Sequence, residues 1–295
     1  MIPRDAIGLW LWAGKNACGC DTLTANNGQL KIKEMSKSLT YLNYLKVEEL
    51  LQLQHPASTP EEHDEMLFII IHQVYELWFK QMLHEMDYLC TALRDNQGTV
   101  VAHTLHRILR ILKTVVAQID VLETMTPLDF NSFRAFLESA SGFQSVQFRE
   151  LEFVMGHKRE AMLKHVPAEN ALAARLHARY HAPTLWDAFL VFLVQNGYEV
   201  PDDLLARDVT HPIAPSPTLQ NTLIHIYRTN PTVMNICERL VDFDEGVQEW
   251  RYRHVKMVER TIGSKPGTGG SPGVKYLQAT VHPLFPDLWA IRSEF

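Results

Sequence analysis

Apolar residues recur every three or four positions over most of this chain. Between residues 61 and 93 they fall at Met66, Ile70, Val74, Leu77, Trp78, Leu83, Met86 and Leu89, the stripe that lets one face of an α-helix reach a core. Ser58-Thr59-Pro60-Glu61-Glu62 ahead of it is a helix-start signal. A second stripe, residues 101–122, runs through Leu105, Ile108, Leu112, Val115, Val116 and Ile119 and stops before Thr126-Pro127. Thr126 is placed to cap a short helix with Pro127 at its first position and Asp129 in its first turn. That helix carries Phe130, Phe133 and Arg134, and Ser141-Gly142 breaks it. Residues 147–162, 168–181, 183–196 and 219–227 read as further helices, with Pro212, Pro215 and Pro217 marking the loop before the last. The final long helix spans 232–262 through Ile236, Leu240, Phe243, Val247, Trp250 and Val258, and ends at Gly263. Alternating β-branched runs bounded by turns are nearly absent, so the expected class is all-α.

Residues 1–38 have no sustained periodicity and read as a poorly ordered or loosely packed extension, with a single domain over 39–295. Residues 263–274 hold five glycines and two prolines, which suits neither helix nor strand interior. A phosphate cradle there would need G-x-x-x-x-G-K-S/T after a strand or G-x-G-x-x-G opening a helix, and neither pattern is met. A closing lid is the functional reading of this loop and an inert connector the plain one.

Charge alters the picture by exclusion. Lys and Arg number 28 against 34 Asp and Glu, a net charge of −6 with His neutral, so the broad basic field of a nucleic-acid binder is missing. Cys18, Cys20, Cys90 and Cys237 form no zinc-ribbon or C-x-x-C pattern. The apolar run over residues 6–14 is too short to cross a bilayer and is followed by Lys15. A reducing, cytoplasmic location is expected.

Among 14 histidines, His177 and His181 share an i, i+4 face that could grip a metal, but solvated side chains are the simpler reading. His63-Asp64 sits in an acidic helix start. His72 lies within Phe68-Ile69-Ile70-Ile71-His72-Gln73-Val74-Tyr75-Glu76-Leu77-Trp78-Phe79, and His254 within Trp250-Arg251-Tyr252-Arg253-His254-Val255. Both should be at least partly buried, and a satisfied core histidine is the ordinary outcome for each. Spacing alone leaves them undecided.

Four blocks carry a resemblance: residues 39–45 (LTYLNYL); residues 63–73 (HDEMLFIIIHQ) with Glu76-Leu77-Trp78; residues 130–134 with Ser141-Gly142-Phe143-Gln144-Ser145; and residues 250–254 with Gly267-Thr268-Gly269-Gly270. Over residues 39–292 the chain resembles the haem-dependent tryptophan 2,3-dioxygenase family. That resemblance implies an all-α subunit holding one haem b, a homotetramer, and opening of the indole 2,3-bond of L-tryptophan with O₂ to N-formylkynurenine, a step of tryptophan catabolism. It matches His254 to the proximal iron ligand and His72 to the distal-side histidine near the indole N–H. Phe68 matches an aromatic wall of the substrate pocket, where Phe130 and Ser141 also belong, and Ser141 with Gly142 match positions beside the haem. Arg134 matches the guanidinium that holds the substrate carboxylate, and its planar fork suits that task as a Lys would not. Thr268 matches the contact to the ammonium. Tyr41, Tyr44 and Leu45 match a segment that a neighbouring subunit adds to the pocket rim.

Phe130 stands where some bacterial members have Tyr, and Ser264 and Pro266 replace the Phe and Arg of a common loop run. The alternatives are a specialised relative acting on a modified tryptophan, including by monooxygenation, and a non-catalytic haem- or tryptophan-binding protein such as a sensor. The plainest alternative is a helical interaction module without a cofactor.

Overall fold

A computed structural model describes residues 38–165, 171–268, 274–278 and 280–295. The expected extension over residues 1–38 lies outside them except for Ser38. Helices and turns make up the described residues, with no strand among them. The described residues fall into two compact units, residues 38–50 and Leu51–Phe295. In the first unit, α1 (Tyr41–Leu45) begins at Thr40, whose side chain accepts from Asn43 N while Asn43 accepts from Thr40 N. Lys46, at φ 55°, turns the chain into α2 (Val47–Leu50).

The second unit is built on two 32-residue helices, α3 (His63–Arg94) and α11 (Pro231–Ile262), with α4 (Gly98–Leu122) against both. Between α4 and α11 in sequence come α5 (Pro127–Phe133), α6 (Val146–Val154), α7 (Ala171–His181), α8 (Leu185–Gln195), α9 (Asp202–Leu205) and α10 (Pro217–Thr229). The short α12 (Val274–Gln278) and α13 (Pro286–Ala290) follow α11. The stripes meet in one continuous core: Met86 and Leu89 of α3, Leu105 and Ile108 of α4, Phe189 and Leu193 of α8, and Ile236 and Phe243 of α11 are all almost fully buried. Burying such side chains contributes about 1.5–3 kcal/mol each. Gly246 permits the close approach of α11 to α4, since a Cβ there would stand 2.7 Å from Leu112 Cδ2.

Boundaries follow capping chemistry. Thr126 and Asp129 form the reciprocal cap expected at α5. The α5 helix ends at Phe133, and Arg134 opens a 3₁₀ turn, Arg134–Leu137, instead of continuing the helix. The α6 helix stops at Val154, eight residues before the periodicity does, because Gly156 takes φ 97° and a 3₁₀ turn, Glu160–His165, carries the remaining apolar positions. Asp244, wholly buried on α11, fastens the C-terminal segment by accepting from Leu284 N, Phe285 N and Trp289 Nε1. No helix among the described residues is long and apolar enough to cross a membrane.

Candidate functional site

A cavity of about 270 Å³ opens between α3, α5, α6 and α11. Its apolar surface comes from both long helices: Phe68, Tyr75 and Phe79 of α3, and Trp250, Val255 and Val258 of α11. Successive turns of α3 place Phe68 and His72 side by side, with ring centroids 4.1 Å apart. Phe68 also meets Phe130 at 5.8 Å and Phe133 at 5.5 Å, while Phe130 and Phe133 contact edge to face at 5.5 Å and 84°. These rings form an aromatic box on one side of the cavity.

Two imidazoles face this space. His72 Nδ1 lies 2.7 Å from Phe68 O; a carbonyl only accepts, so Nδ1 carries the proton and Nε2 remains an acceptor. Burial pushes the His72 pKa down, only partly offset by the Phe68 carbonyl and the Glu76 charge. His254 stacks on Trp250, with centroids 5.2 Å apart and planes 8° from parallel, and makes no hydrogen bond to a described residue. Burial first, then the neighbouring His72 and Arg251, bring its pKa to about 4. It is a neutral ring with an uncommitted nitrogen lone pair at an apolar cavity, the donor that haem iron takes. Donor, burial and flat apolar walls therefore fit a haem.

Polar groups gather at the mouth. Arg134 Nη2 donates to Pro266 O at 2.7 Å, and Thr268 Oγ1 donates to Ala140 O at 2.7 Å, tying the loop after α11 to the bend before Ser141 and Gly142. Ser141 Oγ accepts from Phe143 N. Residues 269–273 of this loop lie outside the described set. The structure thus brings Phe68, His72, Phe130, Arg134, Ser141, Gly142, His254 and Thr268 around one cavity. Tyr41, Tyr44 and Leu45 belong to the other unit, exposed on α1. His177 and His181 are exposed on α7, with His181 Nδ1 at 3.0 Å from His177 O.

One group was not legible in the sequence. Glu152 of α6, its side chain 1% exposed, accepts from Arg149 Nη1 at 2.5 Å, Arg159 Nη2 at 2.9 and 3.0 Å, and Arg251 Nη2 at 3.1 Å. Its carboxyl is held near pKa 2; burial opposes ionisation, but the three guanidiniums outweigh it. The available signal was a carboxylate between Leu151 and Phe153, an acid in an apolar stretch.

An all-α scaffold whose long helices face a neutral histidine across an apolar cavity defines a helical haem protein. The chain belongs to the tryptophan 2,3-dioxygenase family. The family model for tryptophan 2,3-dioxygenase matches residues 26–179 and 198–295. Similar proteins include a tryptophan 2,3-dioxygenase of Herpetosiphon aurantiacus, 62% identical over 260 residues that cover 88% of this chain and 100% of the relative. One from Anaeromyxobacter dehalogenans is 53% identical over 88% of this chain and 97% of its own length. A Bacillus cereus relative is 38% identical over 88% and 94%.

Proposed function

We propose that this chain is a haem-dependent dioxygenase that opens the indole 2,3-bond of L-tryptophan with O₂, giving N-formylkynurenine, through a domain spanning residues 39–295. The observation that carries it is the pairing of two neutral imidazoles on one aromatic-walled cavity with a guanidinium at its mouth. His254 holds the iron through its free nitrogen. Haem b, when bound, supplies the activation of O₂. Every other task falls to the protein.

His72 Nε2, left unprotonated by the bond from Nδ1 to Phe68 O, accepts the indole N–H. Phe68 and Phe130 pack the indole, and Ser141 with Gly142 border the haem and substrate. Arg134 exchanges the neutral Pro266 carbonyl for the substrate carboxylate, a stronger charge-assisted bidentate partner. Thr268, released from Ala140 O, meets the ammonium, so that amino-acid binding and loop closure exclude water together. Tyr41, Tyr44 and Leu45, exposed apolar side chains, complete the pocket rim of a neighbouring subunit in a homotetramer. Cys90 and Cys237 are free and buried, in keeping with a reducing cytoplasmic setting.

Reduced, haem-loaded protein given L-tryptophan and O₂ is expected to yield a product heavier by two oxygen atoms. A gain of one oxygen atom, or no turnover, overturns the reading. Light scattering is expected to report four subunits, and a monomer refutes the shared rim.

A further inference from the structure

His177 and His181 lie four positions apart on α7, both exposed, so consecutive turns carry the two rings on one face of the helix. Their centroids are 4.4 Å apart, with planes 36° from parallel. That splay lets the rings converge on one ion, since an imidazole nitrogen binds a metal at about 2.0–2.1 Å. His181 is also fixed in one tautomer. Its Nδ1 lies 3.0 Å from His177 O; a carbonyl only accepts, so Nδ1 carries the proton and Nε2 keeps its lone pair. Donation from the second nitrogen to a backbone carbonyl is how metal-ligating histidines are oriented. The Tyr180 ring, edge-on to His181 at 5.0 Å and 82°, restrains it further.

The rest of α7 is engaged elsewhere. Leu176 and Tyr180 are buried beside Phe153. Arg175 is bound to Glu150 of α6, and Arg179 to Asp87 of α3. Both cations thus sit on the helix flank opposite the histidines, where they do not repel an incoming ion. No third His, Cys, Asp or Glu joins the pair among the described residues. Two nitrogen donors with open positions suit a borderline divalent ion and not Ca²⁺ or Mg²⁺, which take oxygen ligands.

We propose that His177 and His181 form a surface site for a divalent transition-metal ion, Cu²⁺ ahead of Zn²⁺, with water in the remaining positions. The site is independent of the haem cavity. It staples the last turn of α7, a helix that Arg175 and Arg179 fasten to α6 and α3, so the bound ion stabilises the fold by mass action.

The test titrates haem-loaded, full-length protein with CuCl₂, ZnCl₂ and MgCl₂ by calorimetry. Cu²⁺ is expected to bind more tightly than Zn²⁺, and Mg²⁺ not at all. His177→Ala and His181→Ala are each expected to weaken Cu²⁺ binding about tenfold or more, no less than the loss of a group that merely orients a ligand. Ala is the strongest helix former, so both variants keep α7, which their helicity and haem spectrum report. His225→Ala, which removes an exposed histidine of α10, is the control and leaves affinity unchanged. Electron paramagnetic resonance of the Cu²⁺ form is expected to show coupling to two imidazole nitrogens in wild type and to one in each α7 variant. Saturating Zn²⁺ is expected to raise the Tm of wild type and of neither α7 variant. Affinity unchanged in either α7 variant overturns the site, as does coupling to a single nitrogen in wild type. An equal loss in His225→Ala assigns the binding to scattered surface histidines and overturns it as well.

Discussion

His72 and His254 are both half-buried and neutral, but only His72 has a committed ring nitrogen. That difference divides their roles. His254→Ala is expected to abolish stable ferrous haem ligation and turnover together, read from the absorption spectrum and tryptophan consumption. His72→Ala is expected to keep its haem and lose about 1–3 kcal/mol of substrate interaction, roughly five- to hundredfold in kcat/KM. Haem loss matching the His254 variant contradicts this division. Arg134 offers a sharper choice: as a half-exposed side chain tied only to Pro266 O, its removal should cost little, at most about 1 kcal/mol. As the carboxylate anchor, Arg134→Met removes about 2–5 kcal/mol, roughly 30-fold to several thousand-fold in kcat/KM, with haem content unchanged. Tryptamine, which lacks the carboxylate, should discriminate far less between the two proteins; an equal loss for both substrates rejects the anchor.

The long helices were legible because burial of one face imposes a 3.6-residue period on the sequence. Thr126 with Asp129, and Gly263 after α11, also announced themselves through local chemistry. What stayed hidden depends on distant partners. The apolar pattern of 147–162 continues past Val154 because the following turn still packs on α7, although Gly156 has already ended the helix. Glu152 and Arg251, 99 positions apart, form a site that no window of sequence contains. His72, His254 and Arg134 entered the candidate site through the family resemblance, their spacing alone leaving them undecided, and the charge cluster around Glu152 was unreadable. Asp244 is a second such case, a charged residue in the α11 stripe whose purpose lies some 40 residues on. Asp244→Ala is expected to strand three donors of the C-terminal segment, Leu284 N, Phe285 N and Trp289 Nε1, costing about 3 kcal/mol or more. For a unit of this size that lowers Tm by roughly 6–12 °C. Asp244→Asn, which keeps an acceptor oxygen, should lose distinctly less, and equal Tm values for wild type and Asp244→Ala refute the tether.

Protonation links these buried groups to the stability of the whole chain. His254 and His157 titrate near pH 4 and 3 when folded, the first through burial, then His72 and Arg251; the second through burial, against the raising pull of Glu152. His72 is shifted the same way. A histidine whose folded pKa is depressed binds its proton in the unfolded chain first, so stability falls as pH drops below about 6.5. Glu152, near 2, has its window lower, where the unfolded carboxyl begins to protonate below about 4.5. Asp287, pushed up by burial, acts in the opposite direction above its ordinary value. Between about pH 6.5 and 5 the histidines therefore dominate, each contributing up to about 1.4 kcal/mol per pH unit within its window. Urea unfolding of the haem-free chain is expected to show stability falling steadily from pH 7 to 5. His157→Gln should reduce that slope by about the share of one proton, whatever its effect on absolute stability, because the slope counts protons and not contacts. A slope identical to wild type, or stability that rises on acidification over this range, rejects the half-buried neutral histidines as the source of acid sensitivity.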